Sequence, residues 1–117
     1  MSSAKKNLLN RRDFMFIKSE YKLIRINLDD VLFMSGLRDY TQIYLKGKPS
    51  PLTTLQNLKE FETKLADEDF IRVHRSYIIS LSKIDTISRN EITISTHTIP
   101  IGNAYKQILE HAITKNS

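Results

Sequence analysis

The chain has 117 residues, 40% of them hydrophobic, which suits one compact domain and excludes disorder over most of its length. It has no cysteine, which excludes disulfides, zinc fingers and thiol catalysis, and no apolar run near the roughly 20 residues of a membrane span. The net charge is +5, but four of the 18 basic residues (Lys5, Lys6, Arg11 and Arg12) lie in residues 1–12, leaving 14 against 13 acids from residue 13 onward.

Residues 1–12 read as a flexible basic arm or linker, and 13–117 as the folded domain. The arm lacks the apolar core of a signal peptide, so a cytoplasmic protein is expected. "FMFIKSEYKLIRIN" (14–27) gives two short strands around a turn at Lys18–Tyr21. "LDDVLFMSG" (28–36) is an acidic turn followed by an apolar strand. "DYTQIYLKGK" (39–48) alternates Tyr40, Gln42 and Tyr44 against Thr41, Ile43 and Leu45, the mark of a half-buried strand, and "GKPSP" breaks it. Leu55, Leu58, Phe61 and Leu65 form one stripe, which predicts a helix over 54–65, with Thr53 and Gln56 as its capping box.

Short strands follow at 70–73 and 77–80, then a hairpin of 84–88 and 91–96 turning at Arg89-Asn90. "TIPI" (98–101) is a further strand, placed at an edge by Pro100. Tyr105, Ile108, Leu109, Ala112 and Ile113 keep helical spacing over 104–114, with Asn103 as N-cap after Gly102. The expected fold is mostly β, with short strands in several small sheets and two short helices.

Nothing in the pattern makes an enzyme. His74, His97 and His111 share no ligand spacing, so neither metal nor cofactor is expected. Gly36, Gly47 and Gly102 are isolated, which excludes a phosphate-cradling loop, and Ser76 sits in no nucleophile elbow.

Three polar stretches remain. His74, Arg75 and Ser76 lie between two apolar, β-branched runs. Either His74 and Ser76 satisfy buried backbone groups at a kink while Arg75 reaches solvent, or Arg75 offers its fork of donors to a phosphate or a guanine edge. At the last helix, Asn103 either caps the helix or contacts a base or phosphate, with Lys106 adding charge one turn in. In "GLRDYT" (36–41), Arg38, Tyr40 and Thr41 form a loop tip or a solvated hairpin in which Arg38 offsets Asp39. Because the folded part is nearly neutral, binding to a polyanion must come from few contacts: Arg38, Lys46, Arg75 and Lys106, with Asn103 as a polar partner. Five acids, Glu60, Glu62, Asp67, Glu68 and Asp69, crowd one window, and their face is expected to point away from any phosphate backbone.

"FIRVHRSYIISLSKI" resembles the signature F-x-R-x-H-R-S-[FY]-[IV]-[IV]-N of the LytTR DNA-binding domains of bacterial response regulators. "DDVLFMSGLRDYTQIYL" (29–45) is similar to the family's acidic turn, strand and short loop, and "TIPIGNAYKQIL" (98–109) to its I-P-[IV]-S-R run into the last helix. The resemblance spans roughly residues 14–113. Three positions depart from it: Ser80 stands where the signature closes on asparagine, and Gly102-Asn103 where the family has Ser-Arg.

The resemblance implies three small sheets with minor helices, contact with double-stranded DNA through loops, and promoter binding as a homodimer on direct repeats. It also implies a receiver domain, answering to a sensor kinase, on the N-terminal side. Carried over, the loop contact falls on Arg38, Tyr40 or Thr41, the signature contact on Arg75 and the last-helix contact on Asn103. The function expected is a sequence-specific, double-stranded DNA-binding transcription regulator domain without enzymatic activity. The rivals are a β-domain that binds a protein through its edge strands, and a single-strand or RNA binder that stacks bases on Tyr40 and Tyr44.

Overall fold

A computed structural model of the chain describes residues 13–66 and 68–116, so the arm expected over residues 1–12 lies outside the described residues, as does Asp67. The first strands, β1 (Phe14–Ser19) and β2 (Lys22–Asn27), form a two-stranded antiparallel sheet. Glu20 and Tyr21 turn between them with φ of 49° and 65°, the left-handed pair whose twist suits a two-residue hairpin. After a single 3-10 turn at Leu28–Asp30 come β3 (Val31–Leu37), β4 (Tyr40–Leu45) and β5 (Leu52–Thr54). Helix α1 (Leu58–Lys64) leads into β6 (Phe70–His74) and β7 (Tyr77–Ser80).

These five strands make one antiparallel sheet in the order β5-β4-β3-β7-β6. A third sheet of three strands has the order β10-β9-β8, from β8 (Thr86–Ile87), β9 (Glu91–Ile94) and β10 (His97–Pro100). Pro100 is thus on an edge strand, where its missing N–H costs no ladder bond. Helix α2 (Lys106–Lys115) closes the fold.

The central sheet is covered on both faces. Met15, Ile17 and Ile26 of the two-stranded sheet and Leu58 and Phe61 of α1 bury against Met34, Ile43 and Ile78. Ile92, Ile94 and Ile99 of the third sheet and Leu109 of α2 bury against Phe33, Val73 and Ile79. Neighbours in sequence (Phe33 and Met34, Ile78 and Ile79) go to opposite clusters, as the two-residue period of a strand demands.

Two expectations about helices are corrected. Residues 52–54 pair with β4 rather than opening a helix, and α1 starts at Leu58. Its cap is Asn57, whose side chain accepts from the Glu60 amide at 2.9 Å while Glu60 accepts from the Asn57 amide at 3.2 Å. Leu55, counted in the predicted stripe, is 82% exposed. At the last helix, Asn103 makes no capping bond: residues 103–105 form a 3-10 turn ahead of α2. Leu109 is buried there, but Ile108 is 56% exposed and stands outside the stripe predicted for it.

Candidate nucleic-acid interface

The His74-Arg75-Ser76 stretch is the turn of the β6–β7 hairpin, in which His74 pairs with Tyr77. Neither turn residue takes a positive φ, so this is not one of the left-handed turns that fit a two-residue hairpin unaided. Side chains complete it instead. The Ser76 amide donates to His74 Nδ1 at 3.0 Å, and the imidazole sits edge-on to the Tyr77 ring with centroids 5.5 Å apart. Arg72 Nε donates to the His74 carbonyl at 2.9 Å, and Arg72 Nη2 donates to the Arg75 carbonyl.

The register of β6 on β7 shifts between Arg72 and His74, which takes Val73 out of the ladder. Its carbonyl accepts instead from the Gly102 amide at 2.8 Å, which ties the turn to the start of the last helix. On the other side the Ser76 carbonyl accepts from the Gly36 amide at 2.8 Å, which ties the turn to the β3–β4 hairpin. The three stretches singled out in the sequence are therefore contiguous, with the signature turn in the middle. Every carbonyl from Val73 to Ser76 has a donor, which backbone polar groups require once water is displaced.

The residues carried by these stretches differ in availability. Arg75 is exposed at the turn, and its guanidinium has no partner among the described residues. Arg38 is exposed in the β3–β4 turn with φ of 45°, an uncommon region for a long side chain, and Tyr40 beside it is 37% exposed. Asn103 is exposed, and Lys46 is exposed after β4. Lys106 is partly buried, and its Nζ donates to Asn90 Oδ1 at 2.7 Å, so an incoming phosphate would compete with that bond.

Thr41 does not belong at the loop tip. It is fully buried, and its hydroxyl donates to the Gln56 carbonyl at 2.7 Å, because residue 41 falls on the inward phase of β4. It anchors the loop that Arg38 and Tyr40 ride on.

The acidic window is split as well. Asp69 lies at the far end of the β6–β7 hairpin, accepting from the Ser82 amide at 2.9 Å and the Ser80 hydroxyl at 3.1 Å. Ser80, the residue in the asparagine position, is thus buried and bonded. Asp13, Asp29, Glu68 and Asp69 line a cavity of about 290 Å³ at that end. Glu62 breaks the expected segregation: it is ion-paired to Arg72 Nη1 at 2.7 Å, next to the signature turn. Arg72 is the first arginine of the signature, but its contacts with the turn are not readable from the sequence, since an arginine in a strand reads as a solvent-facing residue until the register shift is known.

No curated protein matches the chain. A solved domain from Bacillus cereus, assigned as the LytTr DNA-binding domain of a methyl-accepting/DNA response regulator, is similar with a TM-score of 0.71 and 21% sequence identity. The likeness covers 87% of this chain and 97% of that one, and at this identity it carries the fold alone. The family model described as LytTr DNA-binding domain matches residues 21–114, which include all three contiguous stretches, and the chain belongs to that DNA-binding family.

Proposed function

We propose that this chain is the DNA-binding output domain of a two-component response regulator, and that it recognises particular sequences in double-stranded DNA through its loops. The observation that supports the reading is the contiguity of the three stretches: two backbone bonds, Gly36 to Ser76 and Gly102 to Val73, join the segments that carry Arg38, Tyr40, Arg75 and Asn103. Arginine and asparagine carry the donor geometry that suits guanine and adenine edges. Lys46 and Lys106 supply positive charge for phosphates, which sets register without reading sequence.

In this reading two copies bind adjacent repeats as a homodimer, a receiver domain precedes residue 13 in the whole regulator, and a sensor kinase acts on that receiver in the cytoplasm. No described helix is long and apolar enough to cross a membrane. Selection of bound duplexes from a random pool, followed by competition with single strands of the same sequence, tests the reading. Enrichment of one motif, with single strands failing to compete, is the expected result. Equal competition by single strands would favour base stacking on Tyr40, since Tyr44 is already stacked on Phe33, and no enrichment would remove the sequence-specific reading.

A further inference from the structure

The signature turn lacks the backbone geometry of a self-supporting two-residue hairpin, yet Arg75 must leave the surface in one fixed direction if it reads a base. What orders the turn is Arg72. Its Nε and Nη2 reach the carbonyls of His74 and Arg75, and its Nη1 is held by Glu62 at 2.7 Å. The three nitrogens of one planar guanidinium thus go to three different partners. A lysine ammonium cannot reproduce that planar fork. The side chain of Arg72 is 17% exposed and that of Glu62 46%, so the fork is sheltered on the turn side and wetted on the helix side.

Resting on the DNA-reading role proposed for Arg75, we propose that Arg72 is the positioning residue of the signature turn, with Glu62 of α1 as its anchor. The guanidinium gathers two successive carbonyls of the turn and thereby sets the path of the backbone at Arg75. Arg72 acts through Arg75; three of its five N–H donors are engaged within the protein.

The test uses the full chain with Arg72→Lys and Glu62→Gln, each alone and combined with Arg75→Ala. Amide hydrogen exchange is read first, without DNA. The Ser76 and Gly36 amides, bonded to His74 Nδ1 and to the Ser76 carbonyl, should exchange about tenfold faster in both variants, while those of Ile92 and Ile99 keep their rates. Unchanged exchange at Ser76 in both variants would overturn the proposal. If Arg72→Lys does not fold, Glu62→Gln decides alone.

Binding is read second, on a selected duplex and its single-base variants. Arg72→Lys should lose roughly tenfold on the preferred duplex and flatten preference at the base pair that Arg75→Ala identifies. In the Arg75→Ala background it should cost less than about twofold, because residues acting through one another are not additive. Equal losses on every duplex, with or without Arg75, would overturn the positioning role. If Arg75→Ala leaves base preference untouched, the DNA reading of the turn fails instead, and the exchange rates alone decide whether Arg72 orders it.

Discussion

The amide of Gly36 donates to the carbonyl of Ser76 at 2.8 Å, joining a hairpin turn at one end of β3 to the signature turn of β6 and β7. A Cβ on Gly36 would come within 3.3 Å of the Leu58 side chain, so the missing side chain also lets α1 lie close beneath this junction. Loop position and core packing are set at the same residue.

His74 and Arg75 should separate cleanly on mutation. His74 supplies the acceptor for the Ser76 amide and an edge contact to Tyr77, whereas Arg75 has no side-chain partner among the described residues. His74→Ala should lower stability by about 1–3 kcal/mol, the cost of leaving a shielded donor unpaired. Arg75→Ala should leave the melting temperature unchanged and weaken DNA binding by about 1–3 kcal/mol. Thermal melts paired with binding isotherms check both; a stable His74 variant beside an unfolded Arg75 variant would reverse the assignment.

Arg38 occupies left-handed backbone, which glycine adopts at no steric cost. Arg38→Gly should therefore keep stability within about 1 kcal/mol while removing a guanidinium from the patch. Denaturant midpoints should coincide with those of the parent chain, and affinity for duplex should fall. A variant that binds as well as the parent would take Arg38 out of the contact set.

The two isoleucine-leucine neighbours on α2 should behave differently. Leu109 is 3% exposed in the second core, so Leu109→Ala should cost roughly 2–5 kcal/mol. Ile108 is 56% exposed, and Ile108→Ala should stay within about 0.5 kcal/mol. Equilibrium unfolding of both variants measures the difference; equal costs would contradict the packing of α2 described above.

Much of this was legible in the sequence, and the failures share a cause. Alternation marks β4 and β9, and short apolar or β-branched runs mark β1 to β3, β6 and β7, because each strand buries one face or two and shows it locally. The helix predicted over 54–65 starts too early because Leu55 completes a helical stripe by chance. What makes residues 52–54 a strand is remote: they pair with Gln42 and its neighbours, and the Thr54 hydroxyl donates to the Lys18 carbonyl at 2.8 Å. Thr41 is not at the loop tip for the same reason, since its partner Gln56 lies in the distant connection between β5 and α1. The exposure of Arg75 and Asn103 agrees with their polar residue type at a turn and a helix entry. Arg72 also stands in the signature, but its role is not legible there, because it depends on a register shift that no local pattern announces.

Charge sets the last prediction. If the domain neutralises three or four phosphates, Lys46 and Lys106 among them, log affinity against log salt should slope at about −3, from roughly −0.9 per phosphate. Lys106→Ala should weaken all duplexes alike and flatten the slope by about one unit. Asn103→Arg, which restores the guanidinium of the family pattern at an exposed position, should steepen it by about one unit. Isotherms at several salt concentrations give these slopes directly; a slope near zero would mean that phosphates are not the partners.

The bonds that join the three stretches run from backbone to backbone: Gly36 to Ser76, and Gly102 to Val73. The groups offered to a ligand are side chains at other positions. Placement and reading are thus encoded separately. Residues 38, 75 and 103 can be exchanged without touching a bond that holds the patch together, so the scaffold is open to retargeting. A library randomised at those three positions should retain the fold in most members and diverge in the duplexes it selects. Randomising 72, 74 and 76 instead should cost stability and register before it yields any new preference.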